Sequence, residues 1–329
     1  MRQCFYFLVS WLLLSACGSE PNAVRLILDT DLGPDCDDVG AMALMHCLAD
    51  SGEVKILATV SSNADERVVP GIEVINGYFN RPDIPVAVTK SPTAVSLTSL
   101  HQSKWTDALP ARYPHPTAKS SDAPDAVRLY RQLLSQQPDQ SVVICTIGFF
   151  TNLSALLESP SDAYSALTGR ELVARKVKRL VAMAGEFPAG REFNVYCDAE
   201  ASKVVAEQWP TEIIFSGFEI GDKVFTGRRL VEMPVENSPV KEAYAMSVAG
   251  GDDEDRMSWD QTAVLVAIKG AAPYFDMERG RFSVTSDEGA NGWKADPQGP
   301  HARLLFRQTP EQIAEAIEGY MMHQPVSPR

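Results

Sequence analysis

Five aspartates crowd into ten positions near the start of the chain: Asp29, Asp31, Asp35, Asp37 and Asp38, in Leu26-Ile-Leu-Asp-Thr-Asp-Leu-Gly-Pro-Asp-Cys-Asp-Asp38. Carboxylates packed this closely repel one another, and a positive ion is the simplest thing that relieves the repulsion. Carboxylate oxygens are also the ligands that calcium and magnesium prefer. A helix start would account for Asp37 and Asp38 alone, as caps that complement its dipole. It leaves the other three unexplained, so a divalent-cation site is the sharper reading.

Two familiar acidic motifs share part of this pattern. A calcium-binding EF-hand loop needs Gly at its sixth position and a bidentate acid at its twelfth. Counted from Asp29, Gly33 comes one place early and Gly40 stands where that acid belongs, so the EF-hand fails. A magnesium-dependent phosphatase of the haloacid-dehalogenase type also begins with strand-Asp-x-Asp, with Asp29 as nucleophile and Asp31 as acid/base. It stays an alternative, because Thr146 and the acidic stretch Gly251–Asp255 could stand for its later motifs.

The elements that must carry these acids follow a regular alternation. Val24–Leu28, Lys55–Val60, Ile84–Val88, Ser141–Cys145, Arg179–Met183 and Glu212–Phe215 are compact apolar runs, as expected of strands buried on both faces. Helical patterns cover Asp38–Ala49, Ala126–Ser135, Thr151–Leu157, Glu200–Gln208 and Asp260–Ile268. A last helix opens at Thr309-Pro310-Glu311-Gln312, with Thr as cap and Gln three residues on. The alternation predicts a single α/β domain, residues 24–329, with a mostly parallel central sheet flanked by helices. In such sheets ligands bind beyond the carboxyl ends of the strands, where the aspartate cluster falls. The stretch 91–122, rich in Ser, Thr and Pro, reads as an irregular insertion and a lid candidate, and 250–256 as an acidic loop.

Residues 1–16 read as a secretory signal peptide: Arg2, an apolar run, then small residues. Leu14-Ser-Ala-Cys17 resembles a bacterial lipobox, which implies a lipid on Cys17 and a polar tether over 17–23. The expectation is an exported lipoprotein facing the periplasm and anchored at the outer membrane, since Gly18 rather than Asp follows the cysteine. Nothing else in the sequence is long and apolar enough to span a bilayer. The formal net charge is −13, one unit more negative once Arg2 leaves with the signal. So acidic a chain repels nucleic-acid backbones and suits a small substrate or a cation. Hydrophobic residues make up 45% of the chain, ample for a large core. Cys36, Cys47, Cys145 and Cys197 form no zinc pattern, and most are expected to be buried free thiols.

With these motifs assembled, the chain resembles the inosine/uridine-type nucleoside hydrolase family, in its longer aspartate-cluster form. Four segments carry the likeness in order: Asp29-Thr-Asp31-Leu-Gly33 with Asp37-Asp38, Ile147-Gly-Phe-Phe-Thr-Asn-Leu153, Glu192-Phe-Asn194 with Asp198-Ala-Glu-Ala201, and Trp259-Asp260 at a helix start. The resemblance implies a calcium-dependent hydrolase that cleaves the N-glycosidic bond of a nucleoside or related N-riboside. It implies that Asp31, Asp38, Asp260 and the Ile147 carbonyl bind Ca2+, with Asp31 the general base on a metal-bound water. Asp37, Asn63, Glu192 and Asn194 would hold the ribose hydroxyls, and Met183 would line the pocket. Where the family commonly has a His before the last metal Asp, this chain has Trp259, which can stack on a base but cannot protonate it. His101, His115 or Tyr113 could donate instead if the insertion folds over the site. Glu186, Arg191 and Glu219 are further candidates for sugar contacts. A non-catalytic periplasmic nucleoside- or sugar-binding lipoprotein is the other alternative, and self-association as a homo-oligomer stays open.

Overall fold

The computed structural model describes residues 23–98, 104–248 and 255–325. The signal segment, Cys17, most of the tether, His101 and positions 250–254 of the acidic loop lie outside them.

Twelve strands form: β1 (Val24–Thr30), β2 (Val54–Ser61), β3 (Val86–Val88), β4 (Val142–Thr146), β5 (Val177–Met183), β6 (Ala189–Gly190), β7 (Glu212–Ser216), β8 (Phe225–Thr226), β9 (Arg256–Met257), β10 (Phe275–Val284), β11 (Asn291–Ala295) and β12 (His301–Phe306). Ten of them make one sheet in the order β3-β2-β1-β4-β5-β7-β12-β10-β11-β6. From β3 to β12 all neighbours are parallel. The last three strands are antiparallel. This is the α/β architecture expected from the sequence.

The six strands expected from apolar runs are all in the parallel part, for a physical reason. Successive residues of a strand face opposite sides, and here both sides are buried. Leu26 and Leu28 of β1, Val143 and Cys145 of β4 and Val181 of β5 pack into one core. Ile27, Val142, Ile144, Leu180 and Ala182 pack into the other. The first core lies under the helices Asp37–Asp50, Trp259–Lys269 and Pro310–Met321, the second under Ala126–Gln136, Thr151–Glu158 and Ala199–Gln208. The helix at the C-terminal end opens with both arms of the expected Thr309–Gln312 capping box. β10 escaped the sequence reading because it is half exposed, with polar residues between its few buried ones and no continuous apolar run.

The described part of 91–122 is largely irregular, with two short helical pieces. It contains the helix Trp105–Arg112 and a 3-10 turn at Ser120–Asp122, and Trp105 is fully buried. Its polar residues are used as ties to the body. Thr117 Oγ1 donates to Glu73 at 2.6 Å, Ser120 Oγ to the Asp65 carbonyl at 2.6 Å, and Arg67 bridges to Asp107 at 2.8 Å. All four cysteines in the described residues are free; Cys36 and Cys145 are buried and the other two partly so.

Candidate active site

A cleft of about 640 Å³, counted out to its open mouth, sits at the carboxyl ends of β1, β4, β5 and β7. Asp31 follows β1, Ile147 follows β4, Met183 ends β5, and Phe218 follows β7. Asp37 sits in the first turn of the helix Asp37–Asp50, and Trp259 and Asp260 open the helix Trp259–Lys269. Glu192 caps the short helix that begins at Phe193. The structure therefore brings Asp31, Asp37, Ile147, Met183, Glu192, Asn194, Trp259 and Asp260 to one cleft, from segments far apart in sequence. Pro34, Asp35, Phe193, Phe218 and Arg256 join them.

The backbone turns that set this geometry are specific. Gly33 has φ +149°, a value that side chains disfavour, and it lets the chain fold back from Asp31 toward Asp35. Gly148 lies against the same loop: a Cβ there would sit 2.5 Å from the Asp31 nitrogen and 2.6 Å from Ser62 Oγ. The Ile147 N–H donates to the Asp29 carbonyl at 2.8 Å, which continues the β1–β4 ladder to the edge of the cleft.

On the acid side, Asp35, Asp37 and Asp38 bring carboxylate oxygens within 4.8 Å of one another. Asp38 is buried behind the cleft surface and accepts from the Thr30 hydroxyl. Asp260 N–H donates to Asp37 Oδ2 at 3.1 Å, joining the starts of two helices. Burial, and then mutual repulsion, holds Asp31, Asp37, Asp38 and Asp260 well above the ordinary carboxylate range. Arg256 is the single cationic side chain among the described residues that line the cleft, and it is ion-paired to Asp35 at 2.7 Å. Several buried carboxylates with one counter-charge make an all-oxygen donor set that fits a hard divalent cation. Asp35 is an addition to the ligand set read from sequence. It shares the tight group with Asp37 and Asp38, while Asp31 and Asp260 border the same space.

On the sugar side, Glu192 accepts backbone N–H groups from Gly185, Asn194 and Val195 at 2.8–3.1 Å. A carboxylate has about four acceptor positions, so one is left for a ligand. Burial pushes Glu192 up to about 7, against the pull of those three bonds. The Asn194 amide nitrogen bridges the Ile147 and Met183 carbonyls at 3.3 and 3.1 Å.

Asn63 departs from its expected role as a ribose contact. Its amide nitrogen donates to the carbonyls of Asp31 and Leu97, and its oxygen accepts from the N–H groups of Asp65 and Leu97. All of its hydrogen-bonding capacity is used inside the protein, and it is fully buried. It ties the Asp31 loop to the stretch after residue 91. The proposed proton donors also lie elsewhere: Tyr113 gives its hydroxyl to Glu242 at 2.6 Å, and His115 is held by the carbonyls of Thr117 and Pro110. Glu186, Arg191 and Glu219 stand outside the cleft lining. Glu186 accepts from Arg191 N–H, the Arg191 side chain reaches the Glu288 carbonyl, and Glu219 accepts from Phe187 N–H.

Asp29 is fully buried and held by Tyr130 Oη at 2.8 Å and the Asn152 amide. A nucleophile must reach its substrate, so the phosphatase reading built on Asp29 is withdrawn.

The opposite wall is aromatic. Phe218 and Trp259 stack with centroids 5.3 Å apart, and the Trp259 indole N–H donates to the Phe218 carbonyl at 2.9 Å. Arg256 lies over the Trp259 ring at 5.5 Å, fixed by the β8–β9 pairing. Phe218 belongs to no motif and adjoins the candidate Glu219, and Arg256 ends the stretch 250–256 expected as an acidic loop.

Comparison with known proteins agrees with this geometry. The chain is 30% identical over 210 residues to the pyrimidine-specific ribonucleoside hydrolase RihA of Enterobacter sp. (strain 638), a match covering 60% of this chain and 61% of that relative's length. Its fold is similar to that of the inosine-uridine preferring nucleoside hydrolase of Bacillus anthracis, with TM-score 0.66 and 15% identity over 91% of this chain and 99% of that one. It is similar as well to the type III effector XopQ, solved in complex with adenosine diphosphate ribose, with TM-score 0.65 and 17% identity over 91% and 94%. The sequence pattern of one family matches residues 26–312, from within β1 to the last helix and across every acid of the cleft: the chain belongs to the inosine-uridine preferring nucleoside hydrolases.

Proposed function

We propose that this chain hydrolyses the N-glycosidic bond of a nucleoside or related N-riboside, with a divalent cation, calcium by family resemblance, in the acid floor. One observation carries the reading: Asp31 and Asp37 from the start of the chain and Asp260 from near its end face one cleft. Asp31, Asp38, Asp260 and the Ile147 carbonyl would hold the cation, with Asp35 beside them. When bound, it supplies a lowered pKa for water and a fixed point for sugar hydroxyls.

Asp31 takes the proton of the attacking water. Asp37, Glu192 and Asn194 orient the ribose, Glu192 through its one spare acceptor position, and Met183 closes the pocket beneath. As the C–N bond opens, positive charge develops on the ribosyl ring, and the surrounding carboxylates stabilise it. The Phe218–Trp259 pair gives the base an aromatic wall.

The test is a nucleoside panel with calcium, and with a chelator as control, scored for free base and reducing sugar in equal amounts. Chelator-sensitive release supports the reading; no release from any nucleoside would leave it without support. A second reading is a binding protein without turnover, favoured by the aromatic residue at position 259. It predicts saturable nucleoside binding by calorimetry and no sugar release.

We also propose export and lipid attachment at Cys17, with the domain facing the periplasm from the outer membrane. Cys17→Ser is then expected to move the protein from the membrane to the soluble fraction.

A further inference from the structure

The two walls of the cleft differ in what they give a departing base. Resting on the N-ribohydrolase reading above, the bond between the anomeric carbon and the base nitrogen breaks here, and the base takes both electrons. A neutral purine or pyrimidine then leaves as an anion unless it gains a proton. Among the described residues, no side chain lining the cleft is set to give one. Asp31 and Asp260 are taken up by the cation in that reading, and Asp35 is paired with Arg256. Glu192, which burial raises to about 7, accepts three backbone N–H groups and has its last position on the ribose rather than the base. Asp37 accepts from Asp260 N–H, and the Trp259 indole N–H is given to the Phe218 carbonyl. The Arg256 guanidinium does not deprotonate in proteins. The described histidines lie elsewhere: His46 on Asn76, His115 on the Pro110 and Thr117 carbonyls, His301 on Phe282 N–H, and His323 on Asp50.

What the cleft offers instead is negative charge and π faces. Asp31, Asp35, Asp37, Glu192 and Asp260 line it against the single guanidinium, so it stays negative even with one divalent cation in place. Phe218 and Trp259 form a stacked pair beside these acids, and a cation, the Arg256 guanidinium, already lies over the Trp259 ring at 5.5 Å, as aromatic faces favour. Negative charge opposes a base that departs as an anion. It favours a base that arrives positive and departs neutral.

We propose that the preferred substrates are N-ribosides whose base carries a fixed positive charge: N-ribosylpyridiniums or N-alkylated purine nucleosides. The electron pair of the broken bond returns to the ring nitrogen and cancels its charge. The water oxygen bonds to the anomeric carbon, and its proton passes to Asp31 and then to solvent. Each turnover yields one neutral base, one free ribose and one proton. Hydrolysis of a neutral nucleoside that leaves as a neutral base yields no net proton.

The test gives the full chain, with calcium, two matched pairs: adenosine against its cationic 7-methyl derivative, which has no acidic ring N–H, and uridine against N-ribosylnicotinamide. Base release and proton release in weak buffer are followed together. Because the cationic compounds are more labile in water, each rate is also divided by its uncatalysed rate. The expected result is a kcat/KM about a hundredfold higher for the cationic member of each pair, still higher after that division, with one proton per base. Neutral nucleosides turned over as well or better, after that division, overturn the inference and leave the N-ribohydrolase reading standing. No release from all four compounds removes both. Trp259→His places an imidazole beside the base and is expected to narrow the cationic-to-neutral ratio. A ratio unmoved in a folded Trp259→His variant removes the missing proton donor as its cause.

Discussion

The acid floor and the aromatic wall of the cleft are built on opposite physical terms. In the floor, Asp31, Asp37, Asp38 and Asp260 are buried with like charges around them, a cost to the fold that a counter-ion or a proton relieves. In the wall, Phe218 and Trp259 stack, and Trp259 satisfies its indole N–H, so the side chains gain by being where they are. The floor is therefore held in place by backbone: Gly33, Gly148, the β1–β4 ladder and the Asn63 amide. The wall is held by its own packing. Functional groups that oppose stability need a rigid frame, while those that favour it supply part of their own.

The largest effect that would test this contrast is at Asp31. Asp31→Asn is expected to lower kcat by roughly a thousandfold. It should also raise the melting temperature of the cation-free protein, because a buried charge is removed. A melting temperature that falls in that variant would show that the floor is not under electrostatic stress.

Gly148→Ala comes next. A Cβ there meets the Asp31 backbone at 2.5 Å, and a misplacement of about 1 Å can cost roughly a hundredfold in rate. Turnover equal to that of the unaltered protein would mean that the frame tolerates movement of Asp31.

Trp259→Ala removes a stacking face worth about 1–3 kcal/mol per base. The expected change is a raised KM and a lowered melting temperature, with calcium affinity unchanged. A change in calcium affinity instead would show that wall and floor are not separate.

The smallest effect is in the pH dependence of stability. A carboxyl whose folded pKa is raised stabilises the protein fully below its unfolded value, and that stability is lost as pH rises through the folded value. The floor acids have an ordinary value of 3.8, and burial and repulsion raise them, so the cation-free protein should lose stability as pH climbs above about that value. Calcium should offset the loss, so its stabilising shift, read by thermal melts, should be larger at neutral than at acid pH, by a few degrees. His46 works in the other direction. Burial lowers it from 6.5 to about 3, so its share of stability is full above 6.5 and fades as pH falls toward the lower value. A calcium shift independent of pH would remove the floor acids as its source.

Much of this arrangement was legible in the sequence where one rule dominated. Strands buried on both faces announce themselves as continuous apolar runs, so β1 to β5 and β7 could be placed apart from the two-residue β6. Asp29 to Asp38 stand out because no ordinary fold needs so many acids together. The half-exposed β10 had no such signature. Asn63 was visible as a polar residue after a strand, but its four partners, two of them on Leu97, depend on how a distant segment folds. Arg256 owes its place to a two-residue pairing with Phe225–Thr226, too short to leave a pattern.

The hydrogen bond from Asp260 N–H to Asp37 joins positions 223 residues apart. A chain growing from a ribosome has made β1 and the helix Asp37–Asp50 long before the partner helix exists. Until Trp259–Lys269 emerges and docks, Asp31, Asp35, Asp37 and Asp38 have no partner helix opposite them, and the pocket has no far side. Contacts of such long range are slow to form. Competence in this protein therefore arrives late in synthesis, and a product truncated before Trp259 would carry most of the sheet yet lack a site.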